Sequence, residues 1–77
     1  MATLNVLLNS ISDVKRFVGA ACAQQCDIDL VAGRYVVDAK SIMGIFSVDL
    51  SKPITVEIHG TDAETESFRK AVEEYIV

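Results

Sequence analysis

The sequence is poor in the residues that build irregular or metal-held structures. One proline and four glycines are too few for a disordered or low-complexity chain. Two cysteines and a single histidine cannot supply a four-ligand structural zinc site or a disulfide framework. The longest uninterrupted apolar stretch, about Phe17–Ala23, falls far short of the roughly 18 residues a membrane span needs. Positive charge is in the minority: seven Lys and Arg stand against eleven Asp and Glu, for a net charge of −4. That balance disfavours nucleic acid and anionic membrane surfaces as partners. No charge precedes Asp13, so the basic leader of a secretory signal is absent and a cytoplasmic protein is expected.

What remains is a chain of 77 residues, 51% hydrophobic and 23% charged. This fits one domain spanning residues 1–77. A chain so short buries only about 60–65% of the surface its unfolded form exposes. One thin core is expected, with no enclosed active-site cavity. No nucleophile stands beside a positioned base, so neither an enzyme nor a cofactor is expected.

Seven elements follow from periodicity. Thr3–Leu8 alternates, with Leu4, Val6 and Leu8 on one face, as a half-buried strand does. Ser10 followed three residues later by Asp13 reads as a capping box. It opens a helix to about Gln25, with an apolar stripe of Val14, Phe17, Val18, Ala21 and Cys22. Cys22 and Cys26 then fall four apart in that helix, as small hydrophobes in a reduced compartment. Ile28–Val31 and Tyr35–Val37 are short strands, with Gly33 between them at the first central position of a tight hairpin. Ser41–Phe46 reads as a short helix with Ser41 as N-cap. Ser51-Lys52-Pro53 is a turn, and Ile54, Val56 and Ile58 mark a fourth strand. Thr61 and Glu64 form a second capping box. The helix it opens has a stripe of Phe68, Ala71, Val72, Tyr75 and Ile76. The order β-α-β-β-α-β-α predicts an α+β fold of two layers, four strands with helices covering one side.

The short middle helix is apolar all the way round. Ile45 and Val48 are three apart and point to the core, which leaves Ile42, Met43 and Phe46 at least partly outward. An apolar cluster on a small polar surface marks a contact face. Ser41, after Lys40 at the head of that helix, is first of all a cap. A phosphate there would meet free backbone N–H groups.

The run Ala39-Lys40-Ser41-Ile42-Met43-Gly44-Ile45-Phe46-Ser47 resembles the regulatory-serine segment of the HPr family, the small phosphocarriers of the bacterial sugar phosphotransferase system. The element order is similar over nearly the whole chain. The resemblance implies an open-faced β-sandwich, a four-stranded antiparallel sheet with three helices on one face. It places Ser41 on the serine that an ATP-dependent kinase phosphorylates in Gram-positive bacteria. Lys40, Ile42, Met43 and Phe46 fall on the surface that meets the kinase, other phosphotransferase-system proteins and a transcriptional regulator.

The family carries its phosphoryl group on a histidine at the start of the first helix, in a His-Ala-Arg-Pro context. Counted back from Lys40-Ser41 without gaps, that histidine becomes Ser10, the arginine Ser12 and the proline Asp13. Phosphoserine is a stable ester and lacks the transfer potential of the labile P–N bond of phosphohistidine. Asp13 would also repel an incoming phosphoryl group. His59 alternates onto the sheet face away from the core, beside Glu57, with nothing there to organise a phosphate site. The resemblance therefore implies a regulatory protein, a monomer or weak homodimer, switched by phosphorylation of Ser41 by HPr kinase/phosphorylase. Two alternatives stand beside it: a phosphocarrier using a non-standard residue, and a structural domain whose middle helix packs a homodimer.

Overall fold

A computed structural model describes residues 2–77. Alternation sets the sheet. Ile54, Val56 and Ile58 of β4 (Ile54–His59) are all buried, while Thr55, Glu57 and His59 face outward. β4 lies between β1 (Ala2–Val6) and β2 (Asp27–Ala32), and β3 (Tyr35–Asp38) takes the far edge, in the order β1-β4-β2-β3. Every neighbouring pair is antiparallel. Gly33, at φ 63°, occupies the first central position of the two-residue turn between β2 and β3, where a side chain would be strained.

The helices α1 (Ile11–Cys22), α2 (Ile42–Phe46) and α3 (Asp62–Ala71) cover the inner face of this sheet. The fold is the expected α+β open sheet with three helices. Phe17 and Phe68 are fully buried at its centre, among Val14, Ile28, Leu30 and Val56. The Thr61–Glu64 capping box is complete: Glu64 N–H donates to Thr61 Oγ1 at 3.1 Å, and Thr61 N–H to Glu64 Oε1 at 2.9 Å. At α1, Asp13 N–H donates to Ser10 Oγ, but the Asp13 carboxylate accepts from Asn9 N–H, one residue before the cap.

Three element ends differ from the sequence reading by two residues or more, and each has a partner distant in sequence. β1 stops at Val6 instead of Leu8. There the chain turns from β4 to the C-terminal tail: Leu7 N–H donates to Tyr75 C=O at 2.8 Å, and Val77 N–H to Asn5 C=O at 3.0 Å. α1 stops at Cys22 instead of Gln25. Beyond it the Gln24 carbonyl accepts from Lys40 Nζ at 3.0 Å and Gln24 Nε2 donates to Ser67 Oγ. Cys26 thus lies outside the helix, against Gly60, and the four-residue pairing with Cys22 on one helical face is void. Both thiols are free, and Cys22 is exposed instead of joining the stripe. α3 stops at Ala71, which is exposed, and a 3-10 turn over Glu73–Tyr75 carries Tyr75 inward and Ile76 to a bridge with Val6.

Tightening that last turn leaves the Tyr75 hydroxyl buried with no hydrogen-bond partner. Burial raises its pKa; Glu74 raises it further and Arg16 lowers it, as near neighbours that do not reach hydrogen-bond geometry with the hydroxyl. An orphaned buried hydroxyl costs its desolvation with no compensating bond. Tyr75→Phe is therefore expected to hold or raise stability, by up to about 1 kcal/mol. A fall in urea midpoint would show that the hydroxyl is satisfied in solution.

Candidate functional site

The surface around α2 is built from its cap outward. Ser41 leaves β3 in extended conformation, φ −108° and ψ 109°, and its N–H donates to Asp38 C=O at 3.0 Å. Its Oγ accepts from Gly44 N–H at 3.1 Å, and its carbonyl accepts from Ile45 N–H. A Cβ on Gly44 would lie 3.3 Å from Ser41 Oγ and 3.5 Å from Val37 Cβ. Glycine there keeps the cap and lets α2 sit close on β3.

Ile45, fully buried, pins the helix to the core, with Ile42 and Val48 half-buried beside it. Phe46 is 42% exposed and Met43 77%. A helix of five residues has no second layer to cover these side chains. Ile11, at the start of α1, is 64% exposed. It shares with Phe46, Leu8, Ser10 and Leu50 the wall of a shallow depression of about 400 Å³. The apolar surface therefore runs from α2 to the head of α1. Ile11 was missed from sequence because it lies three residues before Val14, in register with the buried stripe. The first helical turn overhangs the core.

Ser10 lines the same depression, with its hydroxyl engaged by Asp13 N–H. Ser12 is exposed on the first turn. What this corner presents is a capping hydroxyl beside a carboxylate, an arrangement that repels anions.

Lys40 sits between the two regions, half-buried. Its ammonium is spent on the Gln24 carbonyl at the end of α1, where a cation is favourable, and not on the outer surface of α2. Its backbone N–H donates to Asp38 Oδ1 at 2.9 Å.

His59 lies on the opposite face of the sheet. Its Nε2 is 3.2 Å from Asp29 Oδ2 and 3.8 Å from Glu57 Oε1. Two carboxylates so close oppose the approach of a phosphoryl donor. Asp29 escaped the sequence reading because its contact with His59 depends on β2 lying beside β4, 30 residues on in the chain. Among the described residues, no helix is long and apolar enough to cross a membrane.

Comparison with known proteins gives a consistent picture. The family profile described as "PTS HPr component phosphorylation site" matches residues 13–77. Among solved structures, HPr-C-His from Thermoanaerobacter tengcongensis is similar at 22% identity and a TM-score of 0.77, over 96% of this chain and 93% of that one. The phosphocarrier protein HPr from Bacillus anthracis is 27% identical with a TM-score of 0.73, over 96% and 95% of the two chains. The histidine-containing phosphocarrier protein of a Mycoplasma, 18% identical over 95% and 89%, also has a TM-score of 0.73. No curated protein matches the sequence.

Proposed function

The chain belongs to the HPr family of the phosphotransferase system, and we propose that it is a regulatory member that has lost the carrier histidine. Ser41 is the switch, and Ile42, Met43 and Phe46 form the docking face. Its partners are HPr kinase/phosphorylase and a transcriptional regulator or other phosphotransferase-system proteins, in the cytoplasm. It binds and signals without catalysing a reaction. The observation that carries this reading is the exposed Met43 and Phe46 on a helix headed by a capping serine. Ser10 and Asp13 at the head of α1 supply the complementary half, a relay corner without its nucleophile.

Phosphorylation would add about −1.5 to −2 charges and three acceptor oxygens at Ser41. The new dianion would meet the Gly44 N–H that already donates to Oγ. It would stand beside the apolar face, so one surface presents a greasy patch alone in one state and a patch with an anion in the other. A partner with a matching cation then distinguishes the two.

Incubation with HPr kinase and ATP tests this. One acid-stable phosphate per chain is expected, lost in Ser41→Ala, which should also cost about 1 kcal/mol of stability through the lost cap. Met43→Asp, at a site 77% exposed, should leave stability within about 0.5 kcal/mol and slow phosphorylation about tenfold, the effect of one lost contact of about 1.4 kcal/mol. Phosphate on another residue, or an unchanged rate in Met43→Asp, would overturn the assignment.

A further inference from the structure

We propose that Asp29, Glu57 and His59 form a binding site for a divalent transition-metal ion on the open face of the sheet. The site is distinct from the Ser41 surface and does not depend on how that surface is read. Its three ligand atoms, one imidazole nitrogen and two carboxylate oxygens, all lie within 4.8 Å of one another.

The spacing suits a small ion. With metal–ligand bonds of about 2.0–2.2 Å, neighbouring ligands of a tetrahedral ion stand about 3.3–3.6 Å apart. His59 Nε2 is 3.2 Å from Asp29 Oδ2 and 3.8 Å from Glu57 Oε1. Each side chain is about one-third exposed, so small rotations close the set, and the outer side stays open for water.

The backbone under the site is fixed by pairing. Asp29 lies directly opposite Glu57 in the β2–β4 ladder, and His59 follows two residues later on the same face. Like charges directly opposite each other cost stability, up to about 1 kcal/mol. A dication between them turns that repulsion into attraction.

The surroundings favour a cation as well. The outward positions of the four strands hold four carboxylates, Asp27, Asp29, Asp38 and Glu57, and no lysine or arginine. Asp38 is directed in part at the Lys40 N–H. Asp27 pairs with His59 across the ladder and adds to the negative potential over the site. An imidazole among carboxylates selects zinc, nickel, cobalt or copper over magnesium or calcium. A bound ion would clamp β2 to β4 and stabilise the fold by linkage.

The test is titration of the whole chain with zinc chloride, followed by calorimetry, thermal unfolding and the ring signals of its single histidine. One ion per chain, a raised Tm and a shift of the His59 resonances are expected. His59→Ala should weaken binding at least about tenfold and abolish the rise in Tm, with circular dichroism unchanged. Glu57→Gln should weaken it in the same direction, and Cys22→Ser should not. Absence of binding, undiminished affinity in His59→Ala, loss in Cys22→Ser or equal affinity for magnesium would each overturn the site.

Discussion

Phosphoenolpyruvate and the first enzyme of the phosphotransferase system are expected to leave no acid-labile phosphate on this chain. The triple substitution Ser10→His, Ser12→Arg, Asp13→Pro is expected to create an acceptor that takes up a large fraction of one phosphate per chain. The reason lies in the chemistry at the head of α1. Ser10 is exposed and already accepts a hydrogen bond from Asp13 N–H at 3.1 Å. A serine there could form only a stable ester, and the Asp13 carboxylate stands beside it. A single charge pair about 4 Å apart is worth roughly 1 kcal/mol in bulk water and about 4 kcal/mol near a protein surface. Against a multiply charged phosphoryl group, that repulsion opposes transfer.

The three changes address separate parts of this obstacle. Histidine supplies a nitrogen nucleophile whose phosphoryl bond is labile. Arginine at the exposed position 12 supplies a fork of donors for phosphate oxygens. Proline at position 13 removes the carboxylate. It also removes the N–H that bonds Ser10 Oγ, a bond histidine no longer needs, and proline is tolerated in a first helical turn. The bond from Val14 N–H to the residue 10 carbonyl, 3.1 Å in the unsubstituted chain, is untouched. Acid-labile phosphate on the unsubstituted chain, removed by His59→Ala, would instead restore a carrier role and sink the regulatory reading.

The parts of the molecule that were legible in the sequence are those fixed by neighbours in the chain. The inward set Ile54, Val56 and Ile58, the Thr61–Glu64 box and the Ser41 cap each need partners at most four residues away. So does the outward placement of Met43, since a short helix pinned by Ile45 has only one way to face. The ends of β1, α1 and α3 were not legible, because bonds across the fold decide them. Lys40 Nζ reaches the Gln24 carbonyl across 16 residues, and Leu7 N–H finds Tyr75 C=O at the other end of the chain. The cluster at His59 was hidden for the same reason. Alternation gave Glu57 its face, but Asp29 joins only once β4 has been inserted between β1 and β2.

Phe68→Ala is expected to remove about 3–5 kcal/mol of stability, set against about 4–12 kcal/mol in all for a domain of 77 residues. At the low end of that range a large fraction of the chain would then be unfolded at ambient temperature, and at the high end almost none. Phe68 packs edge-on against Phe17, with ring centroids 5.5 Å apart and planes at 77°, and both rings are fully buried. The loss therefore combines transfer of the ring, the cavity it leaves and the aromatic pairing itself. Phe46→Ala is the informative contrast. At 42% exposure it should cost about 1–1.7 kcal/mol, a little over half the burial value of a full aromatic side chain. Urea unfolding followed by circular dichroism separates the two. Kinase assays then divide packing from docking: Phe68→Ala should lose phosphate uptake in proportion to the folded fraction, and Phe46→Ala should lose it with the chain still folded. If Phe46→Ala proves as destabilising as Phe68→Ala, Phe46 belongs to the core in solution, and the docking face around α2 shrinks to Ile42 and Met43.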